Sequence, residues 1–365
     1  MTQRLETYYN NYNCVKVKDS IKSEENEMNI MLTSVGRRAY MVKYFKEVLG
    51  ETGEVHVCNS DDLTVAFNYA DKAVISPMIY DEGYIPFLID YCKKNNINVV
   101  LSLFDIDLLV LAKAKEQFEE IGTKLIVSDE SFVSVCNDKW MTYQFLTQHS
   151  FGAPRTYIHF EDAADALSRG EISYPVVVKA RFGMGSIAVA MAHDEEELRF
   201  YSKRIARDIE SSYLKFESNA VASDERVIYQ ECIKGQEYGA DVINDLNGKT
   251  RGIVVRKKLA MRSGETDIAE IVDDSRIKSE LIRLGEISKH IGNMDVDVFL
   301  KDDQVYILEM NARFGGGYPF SHISGCNLPK AIVAWAEGKD VEDDILRATP
   351  GVRAYKELEM SRKYE

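Results

Sequence analysis

From Met28 to about Val127 the sequence alternates β-patterned runs with helical stretches, and this alternation limits the fold more than any other feature. Asn29–Thr33, Glu54–Asn59, Lys72–Ile75, Val99–Leu103 and Lys124–Val127 read as strands. Between them, Arg38–Leu49, Glu82–Asn95 and Asp107–Ile121 read as helices. Strand–helix–strand units close as parallel pairs, so a mostly parallel sheet with helices on both faces is expected. Ligands of such sheets sit beyond the carboxyl ends of the strands. Thr33-Ser-Val-Gly-Arg-Arg38 lies at such an end and can bring N–H groups and Arg37 to an anion, although Gly36 also suits a plain turn. Asp105 either faces the same crevice or caps the helix that follows. A Gly-x-Gly-x-x-Gly fingerprint is absent, which sets a NAD-dependent dehydrogenase aside.

The pattern changes toward the C-terminus. Val296–Leu300 and Val305–Met310 flank an acidic turn and read as a hairpin. Side chains alternate along a strand, so Glu309 and Asn311 share a face, and Asp297 on the partner strand can join them. Two carboxylates and an amide oxygen form a hard-oxygen site suited to Mg²⁺ carrying phosphates, with Arg313 following on the same parity. An acidic, solvated surface turn explains the segment alone equally well, so the decision rests on what lies upstream.

Three stretches upstream bear on it. Tyr174-Pro-Val-Val-Val-Lys179 is a short apolar run ending in lysine, followed by a small-residue loop with Gly183, Gly185 and Ser186. Glycines let backbone N–H groups approach phosphate oxygens, and Lys179 adds charge; no Gly-Lys-Ser/Thr follows, so this is not a Walker A loop. Val227–Ile243 contains Gln230, Glu231, Cys232, Ile233 and Glu237. Asn137–Leu146 reads as a helix with Asn137 or Asp138 near its start and Lys139 beside it.

In order and spacing these motifs resemble the ATP-grasp superfamily, within it the stand-alone proteins similar to the carbamoyl-phosphate-synthase large subunit. Arg256–Thr266, Phe314-Gly-Gly-Gly-Tyr-Pro and Gly325–Pro329 suggest the same group. The resemblance covers about Met28 to about Gly338. It implies an α/β chain, α+β in its C-terminal part: a parallel-sheet pre-ATP-grasp domain (28–128), then an ATP-grasp domain (129–345). That domain would comprise a small lid subdomain (about 150–231) and a mixed or antiparallel large subdomain (about 232–345). Residues 1–27 are expected to be a flexible extension and 346–365 a C-terminal tail.

Carried over residue by residue, the resemblance makes Lys139, Lys179, Gly183, Gly185 and Ser186 the phosphate-binding set. Gln230, Glu231, Cys232 and Ile233 fall at the adenine-reading run, Gln230 departing from the acid often found there, and Glu237 falls at the ribose. Asp297, Glu309 and Asn311 would hold Mg²⁺, two ions by analogy, with Mn²⁺ as a substitute. Arg313 would stabilise an acyl phosphate, and Arg256 and Lys258 would reach the γ-phosphate or simply form a basic strand face. Loops around Gly36, Arg262, Glu265 and Tyr318 would border the acceptor.

The implied activity is ATP-dependent carboxylate–amine ligation through an acyl phosphate. The alternatives are carbamoyl-phosphate-type phosphorylation of bicarbonate within a larger assembly, and a nucleotide-binding regulatory protein. The expected partners are small-molecule carboxylate and amine substrates, and a homodimer is usual in the superfamily. A net charge of −14 argues against nucleic acid or an anionic membrane. Cys14, Cys58, Cys92, Cys136, Cys232 and Cys326 are scattered without metal spacing, as in reduced cytosolic proteins. The most apolar run, Val99–Ala112, is broken by Asp105 and Asp107, and no signal-peptide pattern opens the chain, so a cytoplasmic protein is expected.

Overall fold

The computed structural model describes residues 27–183 and 188–362; the expected extension before residue 27, and Gly185 and Ser186, lie outside them. The strands are β1 (Asn29–Thr33), β2 (Val55–Asn59), β3 (Lys72–Ile75), β4 (Ile97–Ser102) and β5 (Lys124–Ile126), forming a parallel sheet in the order β3-β2-β1-β4-β5. β1 is central and covered on both faces, which is why it reads as an unbroken apolar run. Ile30 and Leu32 pack with Met41, Val42 and Phe45 on one side, and Met31 packs with Tyr84 and Leu88 on the other.

The expected helix Asp107–Ile121 starts earlier and divides in two, Asp105–Lys113 and Lys115–Glu119. At the junction the Ala114 N–H bonds to the Leu111 carbonyl at 2.9 Å, a tightened turn. Ala114 is itself buried beside Leu111 and Phe118, so packing rather than helix propensity places the break.

A second sheet holds β6 (Thr156–Tyr157), β7 (Val176–Ala180), β8 (Val189–Ala192) and β9 (Val227–Glu231) in the order β6-β9-β7-β8, with antiparallel pairings. Val176, Val178, Leu198, Ile205 and Tyr229 give it a core separate from those of the other two sheets. The third sheet is antiparallel, in the order β14-β13-β10-β11-β12-β15. Its strands are β10 (Gln236–Asn244), β11 (Thr250–Arg262), β12 (Glu265–Val272), β13 (Gly292–Lys301), β14 (Gln304–Asn311) and β15 (Arg353–Tyr355). β15 falls in the stretch read as a C-terminal tail; it pairs with β12 and closes that edge of the sheet.

The acidic turn of the β13–β14 hairpin is tight. Lys301 pairs with Gln304, and the two residues between, Asp302 and Asp303, both have positive φ, at 49° and 63°. Two left-handed residues match the right-handed strand twist, and aspartate tolerates the conformation better than most side chains.

The imidazole of His290 is fully buried between Ser288 Oγ (2.8 Å) and the Val242 carbonyl (2.9 Å). Burial lowers its pKa to about 4, so it folds neutral. The unfolded chain takes up that proton below about pH 6.5, and stability should fall as pH drops from there toward 4. Urea titrations across this range should show the decline, and His290→Gln should flatten this component.

Candidate active site

The hairpin brings Asp297 directly opposite Glu309 and Asp295 opposite Asn311, so all four belong to one face of the sheet. β10 adds Glu237, Gly239 and Asp241 to that face, and β11 adds Arg256 and Lys258. Acids occupy three adjacent strands, β14, β13 and β10, and β11 supplies the bases, so Arg256 and Lys258 offset the like-charged pairs Asp241–Asp295 and Asp297–Glu309. Gly239 keeps the centre open: a Cβ there would come within 3.4 Å of both the Arg256 guanidinium and the Lys258 side chain.

Lys258 Nζ lies 2.6 Å from Glu237 and 2.7 Å from Asp297. Burial works against its charge, but Asp297 and Glu237 more than offset this and hold the ammonium above its ordinary range. Burial raises the Asp297 carboxyl, with Asp295 and Glu309 adding to the shift and Lys258 opposing it.

Beyond these residues the structure places Arg256 and Arg313 in a buried chain of ion pairs. Arg256 bonds Asp241, lies 3.1 Å from Asp295 and donates to Ser321 Oγ at 2.9 Å. Arg313 lies 3.4 Å from Asp295 and donates through Nε to Asp105 at 2.8 Å. Asp105 is the first residue of its helix, whose N-cap is Phe104, and its carboxylate is held by Arg313 across 208 positions of sequence. The glycine run after β14 serves this chain. A Cβ on Gly315 would fall 2.1 Å from the Asp295 carboxylate, and one on Gly317 2.8 Å from the Arg256 guanidinium. The close approach expected there for a substrate is thus made to charged side chains.

The charged face turns toward the second sheet across a cleft of about 290 Å³. Lys139, Lys179, Gly183, Gln230, Glu231, Cys232, Ile233, Glu237, Lys258, Asp297 and Glu309 all line it, whereas Arg256, Arg313 and Asn311 stand outside its lining. Pro154, Val177, Ile233 and Leu308 give it apolar wall.

Asp138 caps the helix Lys139–Gln148 through the amides of Trp140 and Met141. It also takes a bidentate bond from Arg181 (2.7–2.9 Å), fixing the start of that helix against the end of β7. Lys139 Nζ reaches the Gly183 carbonyl, and Gly183, at φ 106°, lies against Leu214 where a side chain would collide. Lys179 Nζ donates to Gln230 Oε1 at 2.8 Å, and Gln230 Nε2 donates to Thr156 Oγ1 at 2.8 Å. Gln230, expected at the base-reading run, therefore uses its side chain to hold Lys179. Burial, then the neighbouring Lys139, lower the Lys179 pKa to about 8, with Glu309 opposing.

At the rim, Arg37 is 90 % exposed and lies 3.5 Å from Glu265, which also binds Lys356 at 2.9 Å. Arg262 pairs with Asp267 at 2.8 Å. Tyr318, expected near the acceptor, is instead buried, its hydroxyl donating to the Cys326 carbonyl and accepting from the Leu328 amide, both at 2.9 Å. Asp295, Asp241 and Arg181 are the residues that reading the sequence missed. Asp295 and Asp241 share strand parity with Asp297 and Glu237, a signal the sequence did hold.

Comparison with known proteins accords with this geometry. Residues 136–317 match the ATP-grasp domain and residues 30–126 the PylC-like N-terminal domain. The chain belongs to the ATP-grasp superfamily. It is 24% identical over 327 residues to the carbamoyl phosphate synthase large chain of Methanosphaerula palustris, covering 83% of this chain and 29% of that one. It therefore spans under a third of the length of that relative. Among solved structures it resembles a biotin carboxylase from Campylobacter jejuni (TM-score 0.67, 17% identity, 88% and 73% of the two chains). It likewise resembles the N5-carboxyaminoimidazole ribonucleotide synthetase of Thermus thermophilus (0.65, 15%, 89% and 81%). An L-amino acid ligase from Bacillus licheniformis is similarly placed (0.63, 17%, 89% and 76%). No helix among the described residues is long and apolar enough to cross a membrane.

Lys179 supplies a testable pH signature. It carries its charge below about pH 8 and loses it above, so affinity for a polyphosphate should fall as pH rises through that region. Titration with a fluorescent Mg-ATP analogue should show this fall. Lys179→Gln should bind about 10- to 100-fold more weakly, with the step removed.

Proposed function

We propose that this protein is an ATP-dependent carboxylate–amine ligase that activates a small carboxylate as an acyl phosphate, which an amine then displaces. The observation that carries the reading is the facing of Lys139 and Lys179, from one wall of the cleft, toward Asp297 and Glu309 on the other. Cations for a polyphosphate and hard oxygens for a metal ion converge there, which is the requirement of phosphoryl transfer.

The donor set fits Mg²⁺. Asp297 and Glu309 line the cleft and the Asn311 amide follows on the same strand face, giving two carboxylates and an amide oxygen, while among the described residues no group of three or more His, Cys, Asp and Glu side chains gathers for a metal. Burial chiefly raises the Asp297 carboxyl, Asp295 and Glu309 add to this, and a divalent cation would favour its ionised form. When bound, two such ions, or Mn²⁺ in their place, would neutralise charge on the transferring phosphate.

The chain's own residues divide the remaining work. Lys139 and Lys179 hold the polyphosphate, and the Gly183 segment covers it and limits water. Glu231, Cys232 and Ile233 wall the base, and Glu237 takes the ribose. Lys258 meets the phosphate end beside Asp297. Arg313, held between Asp105 and Asp295 behind the cleft lining, adds positive charge that favours the acyl phosphate and its successor, while Arg256 acts through Asp295 by fixing its position. In the coupling step the amine nitrogen bonds the acyl carbon, phosphate leaves with the bridging oxygen, and the amine releases a proton. Positioning and fixed charge account for the catalysis, and no covalent enzyme intermediate is required.

The similarity to carbamoyl phosphate synthase large chains favours a second reading, phosphorylation of bicarbonate within a larger assembly. Incubation with Mg-ATP, pooled carboxylates and hydroxylamine separates the two. A ligase should give carboxylate-dependent hydroxamate, lowered at least about 100-fold in Glu309→Gln. ADP release stimulated by bicarbonate alone would move the assignment to the second reading. The ligase reading further expects a cytoplasmic homodimer, checked by light scattering and cell fractionation.

A further inference from the structure

The loop between β1 and the first helix is held from several sides. Thr33, Ser34 and Ser102 donate to Asp107 Oδ2 at 2.5, 3.0 and 2.7 Å, and Tyr84 donates to Oδ1 at 2.8 Å. The Gly36 amide meets Asn59 Oδ1 at 3.4 Å, its carbonyl accepts from Thr64, and the Arg38 amide bonds the Val35 carbonyl at 2.9 Å. These bonds turn consecutive arginines in opposite directions. Arg37 points outward to Glu265. Arg38 points inward toward the chain of ion pairs, within electrostatic range of Arg313, Asp105 and Asp295.

Arg38 is the exception in that chain. Arg256 and Arg313 each have two carboxylate partners, and they share Asp295. Arg38 has no carboxylate within ion-pair distance among the described residues, and its Nη1 is buried without a hydrogen-bond acceptor. Its side chain does not cap the helix that starts beside it. Burial first, then the nearby Arg313, disfavour its charge, with Tyr40, Asp105 and Asp295 partly opposing. A guanidinium has five donors and cannot shed its proton under these conditions, so the buried Nη1 calls for an acceptor, which an anionic ligand or a water supplies.

We infer that Arg38, with Arg313 beside it, grips an anionic group of the acceptor-side substrate, so that the ligase acts on a dicarboxylate or a phosphorylated small molecule. This rests on the ligase reading for its role in turnover, but not for the anion site itself. The unmatched Arg38 Nη1 supplies donors to a carboxylate or phosphate oxygen, while Arg313, whose own donors are held by Asp105 and Asp295, adds positive charge nearby and links the site to the metal-side carboxylates through Asp295. Arg38 is here a specificity-determining contact.

Two arms test it. In the binding arm, thermal unfolding is followed with succinate, O-phospho-L-serine or inorganic phosphate, and with butyrate or L-serine as uncharged counterparts at the same position. The wild-type protein should be stabilised by at least one of the anionic probes over its counterpart, and Arg38→Gln should lose that stabilisation. Succinate against phosphoserine distinguishes a carboxylate-bearing from a phosphorylated substrate. In the turnover arm, hydroxamate is measured for the same pairs. Arg38→Gln should raise KM for the anionic member by about 10- to 100-fold, leave KM for Mg-ATP within about twofold, and change kcat little, with partial rescue in Arg38→Lys.

Equal stabilisation of wild type and a folded Arg38→Gln protein by all probes would overturn the inference. So would a substrate preference that Arg38→Gln leaves intact, or a rise in the KM for Mg-ATP of the same size. Anion binding that depends on Arg38, with no hydroxamate from any acid, would retain the site and remove the ligase reading. Circular dichroism of Arg38→Gln and Arg38→Lys confirms that both are folded before either arm is read.

Discussion

Asp241, Arg256, Asp295, Arg313 and Asp105 form one buried chain of ion pairs, and the geometry of the cleft depends on it. The chain runs from β10 through β11 and β13 to the segment after β14, and ends on a helix of the parallel-sheet region. Burying one such charge alone would be prohibitive, and removing one partner of a buried pair typically costs about 3–5 kcal/mol. Once formed, the chain therefore allows its members few alternative positions. It ties the parallel sheet to the antiparallel one through Asp105 and Arg313, and it explains why small residues follow Asn311. Gly315 and Gly317 sit where a side chain would displace Asp295 and Arg256.

The second sheet stands apart in this respect. It has its own apolar core and reaches the site through Lys179 and Gly183. The ion-pair chain draws no residue from this sheet, which is compatible with the proposed lid role over a polyphosphate. The Asp138–Arg181 bond marks where that unit joins the helix carrying Lys139. Fixed charges on one wall and a separately packed cover on the other are the physical basis for reading the cleft as a site of phosphoryl transfer.

Much of this was legible in the sequence because period and parity carry it. The parallel sheet follows from alternating strand and helix patterns, and the Asp297–Glu309 pairing follows from two β-runs around a short acidic turn. What stayed hidden depends on contacts between distant segments. Asp105 could be read as a helix cap, since nothing local announces Arg313, 208 positions away. Arg256 matched Lys258 in parity, yet only the structure shows it committed to Asp241 and Asp295. Gln230 lay at a recognised position, but its partner Lys179 lies on a neighbouring strand. Arg37 and Arg38 differ by one position, and which of them turns inward is decided by the bonds that Asp107 and Asn59 make to the loop. The break at Ala114 belongs to the same class, since tertiary packing overrides a continuous helical pattern there.

The most direct test of the account is the fate of the carboxylate oxygen. With an ¹⁸O-labelled carboxylate that supports turnover, Mg-ATP and an amine acceptor, the inorganic phosphate released should carry one ¹⁸O per molecule, read as an isotope-shifted ³¹P resonance. That result follows if the carboxylate attacks the γ-phosphorus in the cleft and phosphate later departs with the bridging oxygen. Phosphate bearing oxygen only from ATP and water would contradict it, leaving a nucleotide hydrolase or binding protein in place of a ligase.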